Sequence, residues 1–185
     1  MSTGSRTIDD LVARIRAGDR AACDELVRRE YSAVYRFLLH LARDVEVAAD
    51  LTQDTFRTAW EKLPQFQGDS TVASWLHRIA YNKFADTARR RQLDRTWQES
   101  QADRPPAPET PSPADVACDS ESSARLYQAV TQLPQDQRII IVLHYFQSLS
   151  LRETAEVLGE PIGTVKWRAS AALSALRTTF AVEPT

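Results

Sequence analysis

Residues 150–177 read Ser-Leu-Arg-Glu-Thr-Ala-Glu-Val-Leu-Gly-Glu-Pro-Ile-Gly-Thr-Val-Lys-Trp-Arg-Ala-Ser-Ala-Ala-Leu-Ser-Ala-Leu-Arg. The stretch spells a helix, a tight turn and a second helix. Ser150 is placed to cap the first, and Glu153 three residues on completes a capping box. Leu151, Ala155 and Leu158 give that helix one apolar stripe. Gly159 suits the left-handed position after a helix end, and Pro161 stops continuation. In the second helix Val165, Ala169, Ala172, Leu173, Leu176 and Phe180 recur at helical spacing. Two short helices joined by such a turn form the unit whose second helix enters the DNA major groove. An ordinary helical hairpin is the plainer alternative.

Upstream of this unit the pattern stays helical. A helix is expected from Ala124 to Leu133. Pro134 suits the first turn of the next, which runs through Ile139, Ile140, Val142, Leu143 and Tyr145. Its near-continuous apolar run implies a central helix buried on several sides. Residues 96–122 are rich in Pro, Ser, Asp and Glu, and cannot bury enough apolar surface to offset their ordering entropy. They read as an extended acidic linker between a unit spanning 1–95 and one spanning 123–182.

The first unit reads as four helices. One runs near 7–17 and ends at Gly18. Asp19 caps the second, which carries Ala22, Leu26, Tyr31, Val34, Phe37, Leu38 and Leu41 to about Arg43. The third runs near 45–63, with Leu51, Thr55, Phe56 and Ala59 on one side, and stops at Pro64. After a loop the fourth runs from about Thr71 to Arg91, with Val72, Leu76, Ile79 and Ala80 inward. No strand alternation persists anywhere, so the fold class is all-α: two small four-helix domains joined by a flexible linker.

Charge is unevenly spread along the 185 residues, whose net charge is −2. Residues 1–91 carry 15 Lys/Arg against 13 Asp/Glu, net +2; residues 92–122 carry 2 against 7, net −5; residues 123–185 carry 6 against 5, net +1. Neither flank is basic enough for a strong stand-alone DNA binder, since phosphate contacts dominate affinity. A DNA role requires help from a partner. No apolar run reaches the roughly 20 residues of a membrane span, and the N-terminus lacks a signal-peptide core, so a cytoplasmic protein is expected. Cys23 and Cys118 are far apart, and no Cys/His cluster is spaced for metal. His40, His77 and His144 sit on separate segments without a partner at metal-binding spacing. With no Gly-rich phosphate loop or nucleophile elbow, no enzyme activity, cofactor or metal is expected.

Three blocks in order resemble the extracytoplasmic-function sigma factors, the minimal group 4 members of the σ70 family. They are Asp50-Leu-Thr-Gln-Asp-Thr-Phe56 with Ala59-Trp60; Trp75-Leu-His-Arg-Ile-Ala80 with Asn82, Asp86 and Arg89-Arg-Arg91; and Leu133-Pro134 with Arg138, then Gly163-Thr-Val-Lys166 and Arg168. The resemblance covers nearly the whole chain. It implies a promoter-specificity subunit whose partners are core RNA polymerase, promoter DNA and an anti-sigma factor.

Residue types in each block suit these roles. Asp50, Gln53, Asp54 and Arg57 fall on one polar helix face, fit for a basic protein surface. The resemblance makes this the polymerase-binding face; a solvated face is the plain alternative. On the fourth helix Arg78, Tyr81, Asn82, Arg89 and Arg90 project away from the apolar stripe. Arg and Asn pair with phosphates and base edges, and Tyr stacks on an unpaired base. The resemblance assigns them, with the preceding loop 66–71, to the −10 element. Asp86 is placed to brace Arg89 or Arg90. On the last helix Trp167 centres the outward face, with Ser170 nearby, Lys166 and Arg168 flanking, and Thr164 near the N-terminus. The resemblance assigns these to the −35 element. Family members usually carry a small polar residue where Trp167 stands and Arg or another long side chain at Ala171 and Leu173, so weaker or altered −35 readout is expected. Two rivals stand beside this reading: a regulator acting without polymerase, and an interaction module whose helix-turn-helix no longer reads DNA.

Overall fold

The computed structural model describes residues 3–98 and 121–181, with side chains described for 10–92 and 123–180. The described residues form α1 (Thr3–Arg16), α2 (Arg20–Ala42), α3 (Val45–Lys62), α4 (Val72–Gln98), α5 (Glu121–Gln132), α6 (Gln135–Ile141), α7 (Leu151–Leu158) and α8 (Ile162–Ala181). Two helical domains result, α1–α4 and α5–α8.

Local chemistry sets most boundaries. Asp19 accepts from the N–H groups of Ala21 and Ala22 and starts α2. Asp44 accepts from the Val47 N–H and starts α3. Ser150 and Glu153 complete the expected capping box on α7. Gly159 ends α7 in the left-handed region, φ 67°, where a side chain would be strained.

Some elements differ from expectation. Helix α1 begins at Thr3, and α4 continues to Gln98 rather than Arg91. No Gly or Pro follows Arg91 until Pro105, so nothing in the sequence stops the helix there. Pro134 stands as the N-cap of α6 instead of within its first turn. The expected long helix through Tyr145 closes its α-helical hydrogen bonds at Ile141, and Val142–Phe146 widen into a π-type turn. There the Gln147 N–H reaches the Val142 carbonyl at 3.0 Å, and His144 Nδ1 lies 2.6 Å from the Leu149 carbonyl oxygen. Most of the expected linker, and with it Cys118, lies outside the described residues.

In the first domain α2 is central, packed by α1, α3 and α4 around Leu26, Val34, Phe37, Leu38, Leu76 and Ala80. Phe37 meets His77 edge-on at 5.1 Å. In the second, α6 and the π-type turn pack against α7 and α8 around Ile140, Leu143, Val157, Val165 and Ala172.

The two domains also touch. Helix α7 packs along α4, and α6 with the π-type turn packs on α2. His40 of α2, 3% exposed, lies 4.8 Å from the Tyr127 ring and 5.2 Å from that of Phe146. Burial, and then the positive charges of Arg138 and Arg36, push its imidazole down to about 4. Arg138 is buried too, its Nη1 donating to the Thr131 carbonyl at 3.0 Å.

Candidate functional site

Three surfaces gather the residues singled out from sequence. The first is on α3. Ala48, Leu51, Thr52, Thr55, Phe56 and Ala59 are buried beneath it. The Thr52 and Thr55 hydroxyls donate to the Ala48 and Leu51 carbonyls, each at 2.7 Å, so both polar groups are satisfied inside the core. The opposite side presents Asp50, Gln53 and Arg57 exposed and Asp54 half-buried. Arg57 Nη2 meets Asp54 Oδ1 at 2.6 Å, which orders that edge of the face. Both side chains remain wet, so the pair adds little stability.

The second surface is α4 with its entry loop. Phe66 and Trp75 pack together with ring centroids 5.0 Å apart, and Phe66 is buried. Gln67, Gly68 and Asp69 are left exposed. The Thr71 hydroxyl caps the helix by accepting from the Ser74 N–H. Val72, Leu76, Ile79, Ala80 and Phe84 face the core, and Arg78, Asn82, Arg89 and Arg90 are exposed. Arg89 lies 3.5 Å from Asp86, both wet. Tyr81 points elsewhere: it is half-buried and lines a cleft of about 300 Å³ with Asp136, Glu160 and Arg168. Burial, reinforced by Glu160 and opposed by Arg168, raises the Tyr81 hydroxyl above its ordinary pKa.

The third surface is α8. Val165, Ala169, Ala172 and Leu176 are buried. Lys166, Trp167 and Ser170 are exposed, Trp167 at 68%, while Thr164 and Ala171 are half-buried. Arg168 does not share that exposure. Its Nη1 donates to both Glu160 oxygens at 2.8 and 2.6 Å, and its Nε lies 3.4 Å from Asp136. The Glu160 hydrogen bond holds the guanidinium above its ordinary pKa despite some burial. Of the residues assigned to DNA on α8, one lysine, a tryptophan and a serine are therefore exposed; Arg177 is an exposed cation nearer the C-terminus of the helix.

Sequence reasoning missed the Arg168–Glu160–Asp136 cluster and the burial of Tyr81. Glu160 and Arg168 stand eight positions apart across a turn, outside the i,i+4 spacing that sequence reading tests. Among the described residues no group of His, Cys, Asp or Glu is arranged to hold a metal ion.

Comparison with known proteins shows the family to which the chain belongs. The Sigma-70 region 2 family matches residues 26–93, and the Sigma-70 region 4 family matches residues 123–176. SigM of Mycobacterium tuberculosis, an ECF RNA polymerase sigma factor, is 33% identical over 171 residues, covering 92% of this chain and 83% of SigM. The chain belongs to the extracytoplasmic-function sigma factors.

SigE of Mycolicibacterium smegmatis is 38% identical over 155 residues; this sigma factor spans 82% of itself in that match and only 60% of SigE. The solved sigma factor RpoE, in complex with the anti-sigma factor NepR from Bartonella quintana, superposes with a TM-score of 0.71 at 26% identity. That match covers 87% of this chain and 98% of RpoE. CnrH, in complex with the cytosolic domain of CnrY, gives a TM-score of 0.68 at 25% identity, over 96% and 99% of the two chains. Region 2 contains α3 and most of α2 and α4; region 4 contains most of α5, all of α6 and α7, and the first three-quarters of α8. No described helix is long and apolar enough to cross a membrane.

Proposed function

We propose that this sigma factor binds core RNA polymerase through the α3 face of Asp50, Gln53, Asp54 and Arg57. On this reading Arg78, Tyr81, Asn82, Arg89 and Arg90 of α4 take the −10 element. Thr164, Lys166, Trp167, Arg168 and Ser170 of α8 face the −35 element. The work divides between a unit of residues 1–95 and one of residues 123–182, with 96–122 as the acidic connection.

The observation that supports the reading best is the sharp division of α3. A buried row of Ala48, Leu51, Thr52, Thr55, Phe56 and Ala59 fixes the helix, and Asp50, Gln53 and Arg57, with half-buried Asp54, form a polar row on its other side. Such a face has no role in the chain's own packing and suits a complementary basic surface. The protein catalyses nothing alone and lends sequence choice to the polymerase's chemistry, in the cytoplasm where that polymerase works. One structural neighbour, RpoE, was solved with an anti-sigma factor, which supports an anti-sigma factor as a further partner here.

Size-exclusion with core polymerase tests the polymerase face. Wild type is expected to co-elute, and an Asp50→Ala, Gln53→Ala, Asp54→Ala variant to elute separately while keeping its helical spectrum. Failure of the wild type to co-elute overturns the assignment.

A second reading has its own support. Trp167 is exposed and Arg168 is bound to carboxylates, so α8 is short of free cations for DNA. A region 4 that binds protein instead of −35 DNA fits that surface. Lys166→Ala with Arg168→Ala separates the two: promoter-specific transcription falls if α8 meets DNA and holds if it does not.

A further inference from the structure

We propose that Trp167 sets the −35 specificity of this sigma factor: its indole packs on the 5-methyl group of a thymine in the major groove, so that one or two base pairs are read by an apolar contact instead of an arginine fork on guanine. This deepens, and rests on, the reading of α8 as the −35 helix.

The geometry of α8 isolates the indole. At about 100° per residue, Trp167 lies roughly 170° around the helix from the mean direction of the buried row, Val165, Ala169, Ala172 and Leu176. It therefore points straight away from the core, with 68% of its surface exposed. Its helical neighbours at i−4, i+3, i+4 and i+7 are Gly163, Ser170, Ala171 and Ser174. All are small, and a Cβ added at Gly163 would meet nothing within 4 Å. The indole is thus the long side chain at the centre of this face. It stands two turns or less from the start of α8, the part of a recognition helix that reaches base edges.

The polar routes to base recognition are engaged elsewhere or missing. The commonest contact to guanine is a bidentate arginine or lysine. Arg168 Nη1 donates to both Glu160 oxygens at 2.8 and 2.6 Å, and its Nε lies 3.4 Å from Asp136. Ala171 carries only a methyl group. Lys166 stands about 100° around the helix from Trp167, to one side of the indole, where an ammonium suits a flanking phosphate. Among base edges in the major groove thymine alone presents a methyl group, and an apolar side chain matches it. From Lys166 to Ser170 the face spans about 6 Å of helix axis, less than two base steps of about 3.4 Å, which confines the contact to one pair or two adjacent ones. A protein-docking patch would gather more apolar surface around the indole. On α8 the other exposed large hydrophobic residues are Ile162, about 140° away around the helix, and Phe180, about 20 Å along it.

The test uses the full chain in reconstituted holoenzyme. Promoters are selected from a library randomised across the −35 region. Each thymine in the selected −35 sites is then replaced singly by deoxyuridine, which lacks only the methyl group. Deoxyuridine at one thymine, or at two adjacent ones, is expected to weaken wild-type binding about threefold to fourfold, the effect of one buried methyl group. Trp167→Ala should bind the thymine and deoxyuridine promoters equally, whereas Lys166→Ala, weaker throughout, should keep the thymine preference. Selected sites without a recurrent thymine, wild-type indifference to deoxyuridine, or a thymine preference that survives Trp167→Ala each overturn the inference, and leave the α8 reading in place. A library from which the wild type selects no −35 sequence at all overturns the α8 reading itself, the result expected of a Trp167 that docks on protein.

Discussion

Along α4 the exposed side chains include Arg78, Arg89, Arg90 and Arg91; along the first three turns of α8 they are Ile162, Lys166, Trp167 and Ser170. The cores beneath differ in the same direction. Leu76, Ile79 and Phe84 seat α4 with large side chains beside Ala80, whereas α8 rests on two alanines, Ala169 and Ala172, with Val165 and Leu176. The contrast teaches where phosphate attraction resides. Cations are concentrated on α4, and α8 offers shape and a single free lysine in its leading turns. On the proposed reading, a region 4 of this kind would gain its DNA contact from being tethered to a polymerase-bound region 2, which raises its local concentration, more than from its own charge.

Truncation strikes harder under α4. Leu76 is fully buried, and Leu76→Ala is expected to cost about 2–5 kcal/mol in denaturant melts. Under α8 the sensitive change is enlargement: Ala172, also fully buried, should lose about 1–3 kcal/mol on Ala172→Leu. Equal tolerance at the two sites would remove the packing half of the contrast.

The junction between the two halves is expected to titrate. The His40 imidazole, near 4 when folded against 6.5 when unfolded, binds fewer protons in the folded state between those values. Its contribution is intact above about pH 6.5 and is lost as pH falls toward 4, by up to about 3 kcal/mol. Stability measured across that window should slope downward with acid, and His40→Phe should flatten the slope. An unchanged slope would mean that other groups carry it.

Smaller effects sharpen the comparison. Ser150→Ala removes one half of the α7 capping box and should cost about 1 kcal/mol by thermal melts. Trp167→Ala on the outer face of α8 should move stability by less than about 0.5 kcal/mol while changing which −35 sequences a promoter library yields. A large stability loss there would place Trp167 in the fold instead of at the DNA.

Much of this architecture is legible in sequence because its causes are local. The caps at Asp19 and Ser150, the left-handed Gly159 and the inward rows of α3, α4 and α8 each depend on residues within a few positions of one another. The all-α class, the two domains and the sigma family follow from those signals. What stayed hidden joins residues far apart: His40 with Tyr127 and Phe146, Thr71 with Glu153, Asp136 with Arg168. Helical periodicity says which face is apolar and nothing about which distant carboxylate reaches an arginine. For that reason Tyr81 and Arg168 read as outward residues, although the fold turns both toward the contact between domains.

The most direct test of the contrast is the salt dependence of promoter binding by reconstituted holoenzyme. Arg89→Ala with Arg90→Ala should reduce the slope of log affinity against log salt by about two, and Lys166→Ala by no more than about one. That ranking would place the phosphate anchor on α4. A Lys166→Ala slope reduced as much as that of the α4 pair, or an α4 pair that leaves the slope unchanged, would contradict it.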